Sequence, residues 1–353
     1  MRIVTTMPQE DLRQVANAAR KAEVDGFTGL ITLENRNDPF LAHAVAAIAT
    51  NQVELGTAVA IAFARSPMAV AHACWDLQVA SRGRFVLGLG PQVRAHNERR
   101  FSVPWSPPVP RLREYVNALR AIWRTWETGE KLNFEGQHYR FSLMTPNFVP
   151  PSLHLPMVPV TLAAVGPHSL RLAGEVADGV RLHPFCTRKY LEDAVLPRLA
   201  EGRAKTGRAR ENFEITGGGF LATGANEEAV AKAKEWVRTR VAFYGSTPSY
   251  WPVFAAHGLD DLGRELNALS REGKWDAMTA RISDDVLALF AAIGTHDEIA
   301  DRIAERFGGL VDTVYASTSA AVPSDLTPDA IAAVRKIPVA FTGYATGLVA
   351  VSL

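Results

Sequence analysis

Short runs of β-branched and other apolar residues alternate along the chain with longer amphipathic stretches. The first run, over residues 2–5, predicts a strand. The stretch 11–25 after it places Leu12, Val15, Ala19 and Ala22 on one helical face. "FTGLITL" (27–33) predicts a second strand, 39–50 a helix, and "VELGTAVAIAF" (53–63) a third strand. Ser66-Pro67 opens the next helix with a capping hydroxyl and a proline at the first helical position. "RFVLGLG" (84–90) is the fourth strand, and a long helix over 111–127 carries Leu112, Tyr115, Leu119, Ile122, Trp123 and Trp126. Strands five to seven are expected at "MVPVTLAA" (157–164), "GVRLH" (179–183) and "FEITGGGFLAT" (213–223), with helices over 168–177, 189–206 and 227–242. "THDE" (295–298) is a capping box before a helix over 297–307, and "LVDTVYAST" (310–318) is the eighth strand.

Strands that read apolar on both faces belong to a parallel sheet covered by helices. Eight such units predict closure into a (β/α)8 TIM barrel, one domain over 1–336. The residues beyond the roughly 250 such a barrel needs fall into insertions near 101–110, 131–156 and 244–293. The first is proline-rich and contains Trp105, a lid candidate or a plain loop anchor. The second contains "LNFEGQHYRF", which reads as a small hairpin. An apolar tail, 337–353, ends the chain.

Composition narrows the function classes. The chain has 353 residues, 47% hydrophobic, enough for a substantial core. With 38 basic and 37 acidic residues it carries no nucleic-acid footprint. Two cysteines, Cys74 and Cys186, cannot form a disulfide framework, which points to a reducing cytoplasm. The opening "MRIVTTMPQEDL" has no charged segment leading into an apolar one, so a signal peptide is not expected. The tail is at the lower limit for a bilayer span and carries two glycines, so packing on the protein or a partner subunit is expected, not a membrane. No C-x-x-C, H-E-x-x-H or G-x-S-x-G is present, which argues against a metal site or a thiol or serine nucleophile.

In a barrel of this kind chemistry sits where the strands end. Gly88 and Gly90 end the fourth strand in "GLGPQ"; glycine there serves either a tight turn or the close approach of a flat ligand. In "VGPHS" the fifth strand delivers Gly166 and Pro167 to a helix start. The amides of His168 and Ser169, with the Ser169 hydroxyl, form an anion site of the kind that binds phosphate, or an ordinary helix start. His183, ending the sixth strand in "RLHPF", is the leading proton donor, set against a histidine bonded to a nearby carbonyl. Glu34 is an acid on an apolar strand end and needs a partner, which a cofactor hydroxyl or ring N–H would supply. Phe185, Tyr244 and Ser246 are candidates for the substrate side. His96, among Arg94, Arg99 and Arg100, reads as a solvated turn.

Together, "GRFVLGLG", "LNFEGQHYRF", "LAAVGPHSLRLAGEVADGV" and "GTHDEIADRI" resemble the bacterial luciferase-like superfamily over about residues 11–317. "ERRFSVPWSPP", "HPF" and "AFYGSTPSY" further resemble its actinobacterial branch that uses coenzyme F420. The resemblance implies a flavin- or deazaflavin-dependent barrel, often a homodimer. It implies a cis peptide at Ala58-Val59 beside the cofactor ring, and a backbone track past the ring and ribityl chain at Gly88, Gly90 and Gln92. It implies a phosphate grip at Val165, Gly166, Pro167, His168 and Ser169. Glu34 would bond the cofactor and Asn35 would face the substrate. Relatives that oxidise sugar phosphates or alcohols carry histidine where this chain has Asn35, which argues against those reactions. The implied activity is hydride transfer between F420 and a small organic ketone or enone, with Arg65 or Arg171 meeting the cofactor's anionic tail. FMN-dependent monooxygenation is the alternative, and a flavin-binding protein without turnover a second one.

Overall fold

Eight parallel strands close on themselves in the computed structural model, which describes residues 1–317 and 324–345. They are β1 Arg2–Thr6, β2 Gly29–Thr32, β3 Glu54–Thr57, β4 Phe85–Gly90, β5 Val160–Ala164, β6 Gly179–Leu182, β7 Glu214–Gly217 and β8 Thr313–Tyr315. Each pairs with the next, and β8 returns to β1 with Arg2 opposite Thr313. This is the expected (β/α)8 barrel. β3 ends at the Ala58–Val59 peptide, which is cis, and the chain resumes pairing with β4 through Ala60–Ile61. The expected hairpin forms, with Phe134 opposite Phe141, and it is held by Glu114, which accepts from the amides of Gln137, His138 and Tyr139.

The alternation of strands and helices follows from burial. Every residue of β4 is buried, so its apolar run faces the barrel interior on one side and helices on the other. The long helix, Pro108–Thr128, starts three residues before the expected 111, buries Tyr115, Ile122 and Trp123 in the core, and packs on the helix Pro67–Ala80, where the Trp123 indole donates to the Ala71 carbonyl. Ser66 caps the helix Pro67–Ala80 as expected, accepting from the Met68 amide at 3.3 Å.

One expectation fails. The run 213–223 is not a single strand. Gly217 and Gly218 adopt φ of +90° and +93°, values that L side chains rarely take, and they turn the chain out of the barrel. Phe220–Gly224 then pairs in parallel with Ala291–Thr295 in a separate two-stranded sheet. Helices between these strands, beginning with Glu227–Gly245, build a side unit over the barrel with its own core of Phe185, Val237, Val241, Phe254, Leu287 and Phe290. Residues 244–293 lie within this unit, but it starts at the glycine turn.

The amino ends of the strands are closed by charges. Asp178, just before β6, accepts from the Val160 amide that opens β5 and pairs with Arg120 and Arg208. Asp312, just before β8, accepts from Ile215 in β7 and pairs with Arg210. Arg2 bridges Glu54 (2.8 Å) and Glu214 (2.7 Å). Part of the tail packs here: the Phe341 amide donates to Asp312 and the Tyr344 hydroxyl to Glu214. Thr318 and the tail's residues 346–353 lie outside the described residues. No helix among the described residues is long and apolar enough to cross a membrane.

Candidate active-site cleft

The carboxyl ends of the strands open into a cleft of about 570 Å³. One wall, from β3 to β5, is made by Ala58, Val59, Gly90, Ala163 and Ala164. These side chains are small, so backbone lies close to whatever occupies the cleft. A Cβ on Gly90 would stand 2.7 Å from a Val59 methyl carbon, so glycine is required for this wall to keep its shape. Gly88 does not line the cleft. Its amide donates to the Thr57 hydroxyl, which donates back to its carbonyl, and a Cβ there would meet the Thr57 carbonyl oxygen at 2.0 Å. Gly88 thus serves strand packing. Gln92 lines the cleft at φ +57° while its side-chain oxygen accepts from the Val93 amide.

At the end of this wall Val165 leads into the helix Pro167–Val176. Gly166 is its N-cap, makes no side-chain cap bond, and has open space where a Cβ would be. The helix start is therefore uncapped by the chain, as an anion site needs. The Ser169 hydroxyl contributes less than expected: it donates to the Gly166 carbonyl at 2.8 Å and accepts from the Val165 amide. Pro167 and His168 lie beside the cleft and do not form its wall.

The remaining lining is largely aromatic. His183 at the end of β6 meets Tyr244 edge-on at 4.4 Å between ring centroids and lies tilted against Tyr250 at 4.7 Å. The Phe185 amide donates to His183 Nδ1, which places the neutral ring's proton on Nε2. Burial lowers the His183 pKa to about 4. The residue expected to titrate near neutrality is instead a neutral hydrogen-bond donor. Burial also pushes the Tyr250 phenol up to about 12, so it too stays protonated. Both groups are therefore neutral and protonated at neutral pH.

Other placements correct the sequence reading. Phe185 is 2% exposed and belongs to the side unit's core, against Tyr250, Phe254 and Phe290. Ser246 is buried and donates to the Phe243 carbonyl. Of the three expected substrate-side residues only Tyr244 lines the cleft, and Tyr250 takes the place of the other two. Glu34 lines it at 8% exposure, but its partners come from the chain: the Ile61 amide at 2.6 Å and Arg65 at 2.8 Å. Arg65 also pairs with Asp38, and Arg171 sits 3.3 Å from Glu201, so neither is a free cation for a cofactor tail. Asn35 lines the cleft and is exposed, and Arg100 donates to its carbonyl. Trp105 does not line it.

Two further cleft residues carry a signal in the sequence that its motifs did not bring out. Arg181, inside the apolar run "GVRLH", is buried at the cleft floor, bonded to Thr161 and Thr216 and 4.0 Å from Glu214. A charge in such a strand requires partners or a ligand. Arg240 lies on the helix Glu227–Gly245 and stacks its guanidinium 5.1 Å from the Trp236 ring centre. Burial pushes the Cys186 thiol up to about 12, which removes its nucleophilicity at neutral pH. Among the described residues no group of three or more His, Cys, Asp or Glu is placed to hold a metal.

Comparison with known proteins places this geometry. The family model described as luciferase-like monooxygenase matches residues 2–313. An uncharacterized protein of Mycobacterium tuberculosis is 46% identical over 303 residues, covering 86% of this chain and 89% of that protein. The 5,10-methylenetetrahydromethanopterin reductase of Archaeoglobus fulgidus is 27% identical over 293 residues, covering 80% of this chain and 83% of that protein. The fold of the coenzyme F420-dependent tetrahydromethanopterin reductase of Methanopyrus kandleri superposes with a TM-score of 0.75 at 21% identity, over 95% of this chain and 97% of that one. The extent of the family match shows that this chain belongs to the luciferase-like monooxygenase family.

Proposed function

We propose that the chain is an F420-dependent oxidoreductase that passes a hydride between the deazaflavin and a ketone or enone. One observation carries the reading: a nearly side-chain-free wall from β3 to β5 leads to an uncapped helix start at Gly166. A planar ring fits the wall, and a phosphate on its tail fits the amides that follow Pro167. The reductases among the relatives support the choice of reaction, and the F420 dependence of the Methanopyrus reductase supports the choice of cofactor.

When bound, the deazaflavin supplies the hydride. The chain supplies position. Val59, Gly90 and Ala163 would lie against the ring, and the helix start would hold the tail. His183 Nε2–H and the Tyr250 hydroxyl line the same cleft, where they would donate to a substrate carbonyl oxygen as charge develops on it. Their aromatic neighbours exclude water from the reacting atoms.

FMN-dependent monooxygenation is the second reading. It is favoured by the pairing of Arg65 and Arg171 with carboxylates, since FMN lacks the extended anionic tail those cations were expected to meet. Spectroscopic titration of the purified chain with each cofactor separates the two. The proposal expects saturable micromolar binding of F420 and oxidation of its reduced form by an enone panel. Micromolar binding of FMN alone overturns it.

A further inference from the structure

We propose that Arg240 anchors the substrate, and that the substrate is a conjugated or aromatic ketone or enone bearing a carboxylate. This rests on the reading of the cleft as a redox site, and deepens it.

The charge balance of the cleft singles out Arg240. Among the described residues three charged side chains line the cleft: Glu34, Arg181 and Arg240. Glu34 is paired with Arg65. Arg181 belongs to the network beneath the floor that includes Glu214, Thr161 and Thr216. Arg240 has no carboxylate and no hydrogen-bond acceptor among the described residues; it rests on the Trp236 ring. Of the three, it is the charge whose counterion the described chain does not provide.

Trp236, Arg240 and Tyr244 are spaced by four on the helix Glu227–Gly245, and all three line the cleft. That spacing puts them on one stripe of the helix, and the stripe faces the cleft. The helix follows the side strand Phe220–Gly224, and its Tyr244 meets His183 at the end of β6. Arg240 therefore enters the cleft from the side unit and not from the small-residue wall, where a substrate would stack over a ring lying on that wall. A cofactor phosphate at Gly166 would not need it.

A guanidinium stacked on an indole keeps its N–H edge free and loses little freedom when it binds. That edge matches a carboxylate in a two-point contact. The rings of Trp236, Tyr244, Tyr250 and His183 around it suit a flat, conjugated body. His183 Nε2–H then remains for the carbonyl.

The test uses the full chain and a matched pair of probes, para-acetylbenzoate and para-acetylbenzamide, which differ chiefly in charge. Calorimetric titration of the wild type is expected to show the acid binding at least about tenfold tighter than the amide, the size of a charge-assisted contact in a partly buried site. Arg240→Gln should remove that preference while leaving amide binding and F420 or FMN binding unchanged; Arg240→Lys should keep part of it. No preference in the wild type overturns the proposal. So does a loss of cofactor affinity in Arg240→Gln in place of acid affinity, which would assign the arginine to the cofactor. A preserved acid preference in a chain that binds no F420 supports the anchor and rejects the cofactor assignment alone.

Discussion

The two ends of the barrel handle charge in opposite ways. At the amino ends of the strands, Arg2, Glu54, Glu214, Asp178 and Asp312 all find counterions within the chain, and two of the acids also clasp strand amides. At the carboxyl ends, the cleft presents a neutral histidine, a protonated tyrosine, an uncapped helix start and an arginine without a counterion among the described residues. A closed set of charges fixes structure. An open set leaves donors and a cation available to a ligand. The division matches the rule that stability resides at the amino face of such barrels and chemistry at the carboxyl face.

The largest effect should come from opening the closed end. Glu214→Ala leaves Arg2 and Arg181 short of a buried partner and should cost about 3–5 kcal/mol in chemical denaturation. A cost below about 1 kcal/mol, the range of an exposed pair, would erase the contrast between the two ends. Phe185→Ala should cost a similar amount, about 3–5 kcal/mol, because Phe185 fills the side unit's core. Substrate affinity should hold, and a loss confined to affinity would return Phe185 to the cleft.

At the open end, Gly166→Asp supplies the missing cap. It should raise stability by a few tenths of a kcal/mol and weaken binding of a phosphate-bearing cofactor about tenfold or more by occupying the same amides. Thermal midpoints and titrations read the two signs separately, and unchanged cofactor affinity would move the phosphate elsewhere. The smallest effect concerns His183. Its ring resonances in NMR should stay in the neutral form from pH 8 to about 5 and titrate near 4. Its folded pKa lies below the unfolded value of 6.5, so its contribution to stability is complete above 6.5 and lost as pH falls toward 4. His183→Gln should flatten that slope, and a midpoint near 6.5 in the folded protein would contradict the buried site.

The barrel was legible because its strands are apolar on both faces and its helices show one-sided periodicity, signals carried by short windows. The break in the seventh strand was legible in part: "GGG" at 217–219 marks a place where a strand turns, yet the apolar residues on both sides read as continuous. The cleft was legible along its backbone wall, where Gly90 and the segment after Val165 announce themselves by glycine and proline. Side-chain roles were not. Glu34 gains its partner from Arg65, 31 residues away, and only the fold brings them together. Arg240 sits on a helix rich in lysine, arginine and glutamate, and which charge faces inward depends on how the side unit docks. Phe185 and Tyr250 exchange places for the same reason.

The central claim is that a planar redox molecule lies on the β3–β5 wall with its phosphate at the helix start. A crystal structure of the full chain with F420 tests it most directly. The account predicts the ring against Val59, Gly90 and Ala163, and the phosphate within hydrogen-bonding distance of the His168 and Ser169 amides. A ring held elsewhere in the cleft, or a phosphate held by Arg240 instead, would contradict it.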